Sequence, residues 1–151
     1  MINFNRLREI REDHDLSQKQ MAEILNINRS TYSLWELGIN IIPLKELCNF
    51  ADYFKISLDY ILNISNYKNS KNYIEKLNLE TLGYNMKKIR IQNHLSQEEI
   101  ADIIGVSQAC VNKYEKGKIT ISVPVLYTFC KNFDISLNHL CGKTKEEIIH
   151  S

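Results

Sequence analysis

Between Ser17 and Gly38 the apolar positions fall in two helical runs, Met21, Ala22 and Leu25 and then Ile27, Tyr32 and Trp35. The order recurs later in the chain as Ile100, Ala101 and Ile104, followed by Val106, Val111 and Tyr114. The first run of each set has the spacing of one helix face and predicts an amphipathic helix that buries this stripe. Its alanine is small enough to let a neighbouring helix come close. The second run predicts a further helix whose remaining face looks outward. Between the two stand Asn26 and Gly105, residue types that best tolerate a left-handed backbone, so each pair is joined by a tight turn. Ser17 and Ser96 open S-x-x-Q and S-x-x-E patterns, in which the serine accepts from a free backbone N–H and the residue three later reaches back. Asn28 and Ser107 are placed to cap the second helix of each pair. Apolar spacing predicts further helices over about Leu44 to Phe54 and Leu58 to Leu62, and over about Val125 to Phe133 and Leu137 to Cys141. The fold class is all-α, with five helices in each half.

The two halves are copies. Shifting the chain by 79 positions superposes Leu16, Ser17, Gln18, Ala22, Ile24, Glu36 and Gly38 on Leu95, Ser96, Gln97, Ala101, Ile103, Glu115 and Gly117. The same offset pairs Ile10 and Arg11 with Ile89 and Arg90, Phe50 with Phe129, Phe54 with Phe133, and the triplet Ile56 to Leu58 with Ile135 to Leu137. A unit of about 60 residues is at the small end of what folds alone. The expected organisation is a first domain over residues 1–64, a polar linker over 65–80 rich in Asn, Lys and Ser, a second domain over 81–142 and a tail over 143–151.

Composition narrows the function classes. The 151 residues are 44% hydrophobic and 25% charged, the mix of a globular chain, and no apolar run approaches the roughly 20 residues of a membrane span. A cytoplasmic location without a signal segment is expected. Cys48, Cys110, Cys130 and Cys141 have no metal-ligand spacing and read as buried reduced thiols, so no metal and no other cofactor is expected. His14, His94, His139 and His150 have no recurring carboxylate or serine partner, which leaves neither nucleophilic nor acid–base catalysis a constellation to run on. The chain is not expected to be an enzyme. Net charge is only +1, so the placement of charges decides whether nucleic acid is a partner.

The helix, glycine-type turn and helix, with their alanine, their S-Q start, their E-x-G end and the downstream I-S-L at one offset, resemble the helix-turn-helix of the phage repressor and Cro family, also called the XRE family. The resemblance covers Asn3 to Leu62 and Leu82 to Cys141. It implies two tandem, lambda-repressor-like domains joined by a short linker, and double-stranded DNA as partner. In that family the second helix of the motif enters the major groove with its N-terminal residues at base edges. The positions carried over are Gln108, Ala109, Asn112 and Lys113 in the second copy, and Arg29, Ser30, Ser33 and Leu34 in the first. Their chemistry suits base reading: Gln bonds adenine N6 and N7, Lys donates to guanine O6 and N7, and Ala meets a thymine methyl. Gln18 and Gln97 match a phosphate-contacting glutamine at the start of the motif, where free N–H groups and the positive helix end assist. Lys116 and Lys118 match a phosphate-gripping loop. Arg11 with Glu36, and Arg90 with Glu115, match an internal ion pair with a structural role.

The copies differ where DNA would lie. From Arg6 to Ile39 the first copy carries five positive and six negative residues, whereas the aligned stretch Asn85 to Lys118 carries six positive and four negative. Leu34, Leu37 and Ile39 stand where the second copy has Lys113, Lys116 and Lys118. Phosphate affinity is therefore expected to favour the second copy. With Ile41 and Ile42, the three aliphatics form an apolar edge that serves as a dimer or protein-partner surface, unless Leu37 and Ile39 fold inward against the fourth helix. The expected function is a sequence-specific transcriptional regulator, a repressor of bacterial or phage origin, with the second domain the stronger reader. It needs no membrane and shows no small-molecule site. The alternative is a protein-interaction module such as an antitoxin or a repressor antagonist.

Overall fold

The computed structural model describes residues 2–69 and 76–144. Residues 70–75 of the expected linker, and 145–151 of the expected tail with His150, lie outside them. The described residues form ten helices and no strand. The first copy contributes α1 (Asn5–Asp13), α2 (Gln18–Leu25), α3 (Arg29–Glu36), α4 (Leu44–Phe54) and α5 (Leu58–Ile61). The second contributes α6 (Leu79–Gln92), α7 (Gln97–Ile104), α8 (Gln108–Glu115), α9 (Val123–Phe133) and α10 (Leu137–Leu140).

Local chemistry sets the boundaries. The Ser17 hydroxyl accepts from the Gln20 N–H at 3.1 Å while the Gln20 side chain accepts from the Ser17 N–H at 2.8 Å. Ser96 and Glu99 repeat the exchange at 3.1 and 3.3 Å. Both capping boxes close as their spacing predicts. Asn26 and Gly105 end their helices at φ +56° and +74°, so the turn is left-handed in both copies. A β-carbon at Gly105 would touch nothing within 4 Å, which leaves backbone conformation as the reason for that glycine.

Two boundaries differ from the sequence reading. Helix α9 begins at Val123 rather than Val125, because Ser122 takes the extended cap position and Pro124 fits the first turn, where no N–H is required. Helix α6 begins at Leu79, inside the stretch expected as linker, and Asn78 caps it by accepting from the Glu80 and Thr81 N–H groups. This extra turn packs against the second copy's α8 at backbone distance. A β-carbon at Gly83 would lie 2.1 Å from the Tyr114 carbonyl oxygen, and one at Gly117 would lie 2.8 Å from the Glu80 backbone. In the first copy the residue aligned with Gly83 is Phe4, which stands before α1 as its cap.

The cores of both copies run together. Leu7, Ile10, Met21, Leu47, Phe50 and Leu58, with Leu82, Ile89, Ile100, Leu126, Phe129 and Leu137, belong to one cluster of buried side chains. The copies meet through α5 and α10. Asp59, at the start of α5, accepts from the Leu137 N–H at 2.5 Å and the Ser136 hydroxyl at 2.6 Å, and Asn138 accepts from the Leu58 N–H at 2.8 Å. Lys143, the first residue of the expected tail, is buried and lies 2.6 Å from Asp52 of α4.

Candidate nucleic-acid interface

Helices α3 and α8 each have one buried and one open side. Tyr32 and Trp35 hold α3 to its core, and Val111 and Tyr114 do the same for α8. The opposite faces present Arg29 and Ser30 in the first copy and Gln108, Ala109 and Lys113 in the second, all exposed. Ser33, Leu34 and Asn112 are half-buried. Each group of four is therefore brought to one helix face, its first two members at the N-terminal turn. That is the turn from which a helix in the major groove touches base edges.

A polar brace fixes the other end of each helix. Arg11 Nε donates to Glu36 Oε1 at 2.6 Å and Arg11 Nη2 to Glu36 Oε2 at 3.1 Å, while Arg11 Nη1 donates to the Leu16 carbonyl at 2.7 Å. Arg90 repeats this with Glu115 at 2.6 and 3.2 Å and with the Leu95 carbonyl at 2.9 Å. The arginine of the first helix thus ties the last residue of the outward helix to the loop that starts the motif. A bidentate, nearly dry pair of this kind costs far more when one partner is removed than a surface pair does. Burial pushes the Glu36 carboxyl up, but hydrogen bonds led by that from Arg11 outweigh it and hold the group below the ordinary carboxylate range.

The glutamines join this brace. Gln18 donates from Nε2 to Glu36 at 3.0 Å, and Gln97 donates to Glu115 at 2.9 Å. Each amide nitrogen carries two hydrogens, so the inward bond uses one of them. That inward bond was not legible in the sequence, where Gln18 and Gln97 read only as outward contacts.

The loops after the two helices differ in what they expose. Gly117 has φ +66° and sets Lys116 and Lys118 on the surface at either side. At the aligned positions Leu37 and Ile39 are each 67% exposed, and Ile41 is 56% exposed. They do not fold inward against α4. Ile42 is buried, with no exposed surface, which corrects its place in the expected apolar edge. Four neighbouring aliphatics carry no periodicity from which the inward one can be chosen.

The sequence profile of a helix-turn-helix family matches residues 7–61 and again 86–140. The chain belongs to this helix-turn-helix family. An HTH-type transcriptional regulator of Bacillus subtilis, YobD, is 33% identical over 88 residues, 54% of this chain and 79% of that protein. The antitoxin PezA of Streptococcus pneumoniae is 31% identical over 64 residues, 42% of this chain but only 40% of the antitoxin. Among solved structures, the restriction-modification controller protein C.AhdI from Aeromonas hydrophila matches at 26% identity and a TM-score of 0.39, covering 41% of this chain and 94% of its own. The helix-turn-helix chain is a DNA-binding transcription regulator, and α3 and α8 are the second helices of its two motifs. Among the described residues no group of histidine, cysteine and carboxylate side chains is arranged to hold a metal ion, and no helix is long and apolar enough to cross a membrane.

Proposed function

We propose that this regulator binds double-stranded DNA sequence-specifically as a repressor, in the cytoplasm, with the second copy as its stronger reader. Gln108, Ala109, Asn112 and Lys113 meet base edges, while Gln97, Lys116 and Lys118 hold the phosphates. The first copy reads more weakly through Arg29, Ser30, Ser33 and Leu34, with Gln18 on the backbone. The observation that carries this reading is the contrast at aligned, exposed positions, lysine at 116 and 118 against leucine and isoleucine at 37 and 39. Each lysine that neutralises a phosphate releases a counterion, and an aliphatic side chain releases none.

Footprinting on a duplex selected from a random pool tests the reading. Protection over two half-sites about 34 Å apart, with the deeper one lost on changing Gln108, is expected. Protection of one half-site at saturating protein would mean that a single copy reads DNA.

A second reading rests on the exposure of Leu37, Ile39 and Ile41, which form an apolar strip beside α3. Such strips mark protein interfaces, and here the strip would take a partner protein, as in the antitoxin alternative. Co-purification of one defined small protein, lost on changing Leu37 and Ile39 to glutamate, would support it.

A further inference from the structure

The contact between the copies is reciprocal. Asp59 and Asn138 are aligned residues, each the second of its short helix, and each reaches across to the first N–H of the other copy's helix. Elements related this way are paired about a local two-fold axis, so aligned residues occupy equivalent places on the two sides. The two sides are nevertheless chemically unlike. Asp59 accepts from the Leu137 N–H, the Ser136 hydroxyl and, at 3.4 Å, the Asn138 N–H, whereas among the described residues the Asn138 carbonyl oxygen accepts from Leu58 alone and its amide nitrogen is buried without a partner. Asp52 meets Lys143 at 2.6 Å, while the residues aligned with these two are Lys131 and Ile64.

Those differences fix which surfaces can pair. Two first copies brought together in this way would bury Asp59 against a second Asp59 and set Asp52 beside Ile64. Two second copies would leave two buried amide nitrogens unpaired and set Lys143 against Lys131. Like charges in a dry contact, and buried polar groups without partners, both penalise such pairings. Only the mixed pair places one carboxylate among N–H and O–H donors and one lysine on one aspartate.

We propose that Asp59 with Asn138, and Asp52 with Lys143, make the two copies within one chain pair with each other and not with a second molecule, so that a single chain presents α3 and α8 at one fixed spacing. The DNA consequence rests on the reading given under Proposed function, whereas the pairing stands on the contact itself. One chain then covers one bipartite site whose halves differ in sequence.

Amide hydrogen exchange on the full chain, at several protein concentrations and without DNA, tests the pairing. The Leu58 and Leu137 amides are expected to be protected to the same degree at all concentrations, with sedimentation as a single chain. Asn138→Asp, which sets a second carboxylate beside Asp59, should speed exchange at both amides by about tenfold or more, while the Phe50 and Phe129 amides inside α4 and α9 report that each copy remains folded. Asp59→Asn combined with Asn138→Asp moves the single carboxylate to the other side and should restore protection. Protection that grows with concentration, or an Asn138→Asp protein whose two amides exchange no faster, overturns the proposal. In a second arm, one base pair inserted between the half-sites of the selected duplex, a rotation of roughly 34°, should weaken the wild type about tenfold and Asn138→Asp less. If selection returns a single half-site, the two-site reading fails and the amide results still decide the pairing.

Discussion

The two copies share one frame and present two different surfaces. Arg11 with Glu36 and Arg90 with Glu115 have nearly the same geometry, at 2.6 Å in both, and the capping serines and left-handed turns superpose residue for residue. Around that frame the exposed side chains have parted, from Lys116 and Lys118 to Leu37 and Ile39. The support behind the outward helix has parted too. Helix α6 lies on α8 at the distance only Gly83 permits, while α1 has no matching turn over α3. The ion-pair brace and the caps have been kept, while the backing of the outward helix and what that helix meets have been left to vary.

The largest expected effect falls on the shared frame. Arg11→Ala and Arg90→Ala each strand a buried glutamate and should cost about 3–5 kcal/mol in a denaturant titration. Equal losses mean that the frame carries equal weight in both copies, and a loss under about 1 kcal/mol in either, the scale of an exposed pair, would break the comparison there. Next come the readers. Gln108→Ala and Lys113→Ala should each cost about 1–3 kcal/mol of specific DNA binding and relax selection at one base pair. Arg29→Ala and Leu34→Ala should cost less, and equal losses in an affinity assay would make the copies equal readers.

Salt dependence sharpens the contrast in the loops. Lys116→Ala or Lys118→Ala should lower the slope of log affinity against log salt by about one and weaken all sequences alike. Leu37→Ala and Ile39→Ala should leave that slope unchanged. The smallest effect concerns pH. Because the Glu36 carboxyl sits below the ordinary carboxylate range, its contribution to stability is complete at neutral pH and is lost as pH falls through its folded value. Glu36→Gln should therefore flatten the acid limb of a melting-temperature curve, and an unchanged limb would show that other carboxylates set it.

Features written in neighbouring residues were legible in the sequence. Ser17 and Gln20, Ser96 and Glu99, and the turns at Asn26 and Gly105 depend on a few adjacent positions, so spacing reveals them. The outward faces of α3 and α8 followed from the helical period and the family resemblance. Features made by distant chain segments did not show. Gly83 read as an unremarked glycine because the carbonyl it clears belongs to Tyr114 on another helix. Asp59 and Asn138 followed the repeated I-S-L as ordinary polar residues, yet that aligned pair was the available trace of the contact between copies. Lys143 sat past the last apolar run, and nothing local foretold that it would be buried on Asp52.

The cross-capped ends of α5 and α10 bear on how such a regulator responds to its own abundance. Where two separate molecules must first associate, the amount of active species rises with the square of chain concentration until pairing saturates. Under the proposed pairing both halves are made together, and each meets the other at an effective concentration set by the connecting chain rather than by the cell. Occupancy of a site should then climb in direct proportion to the number of chains, with no threshold. A change in synthesis or breakdown would pass straight to the controlled promoter, and the first few molecules produced would already be competent.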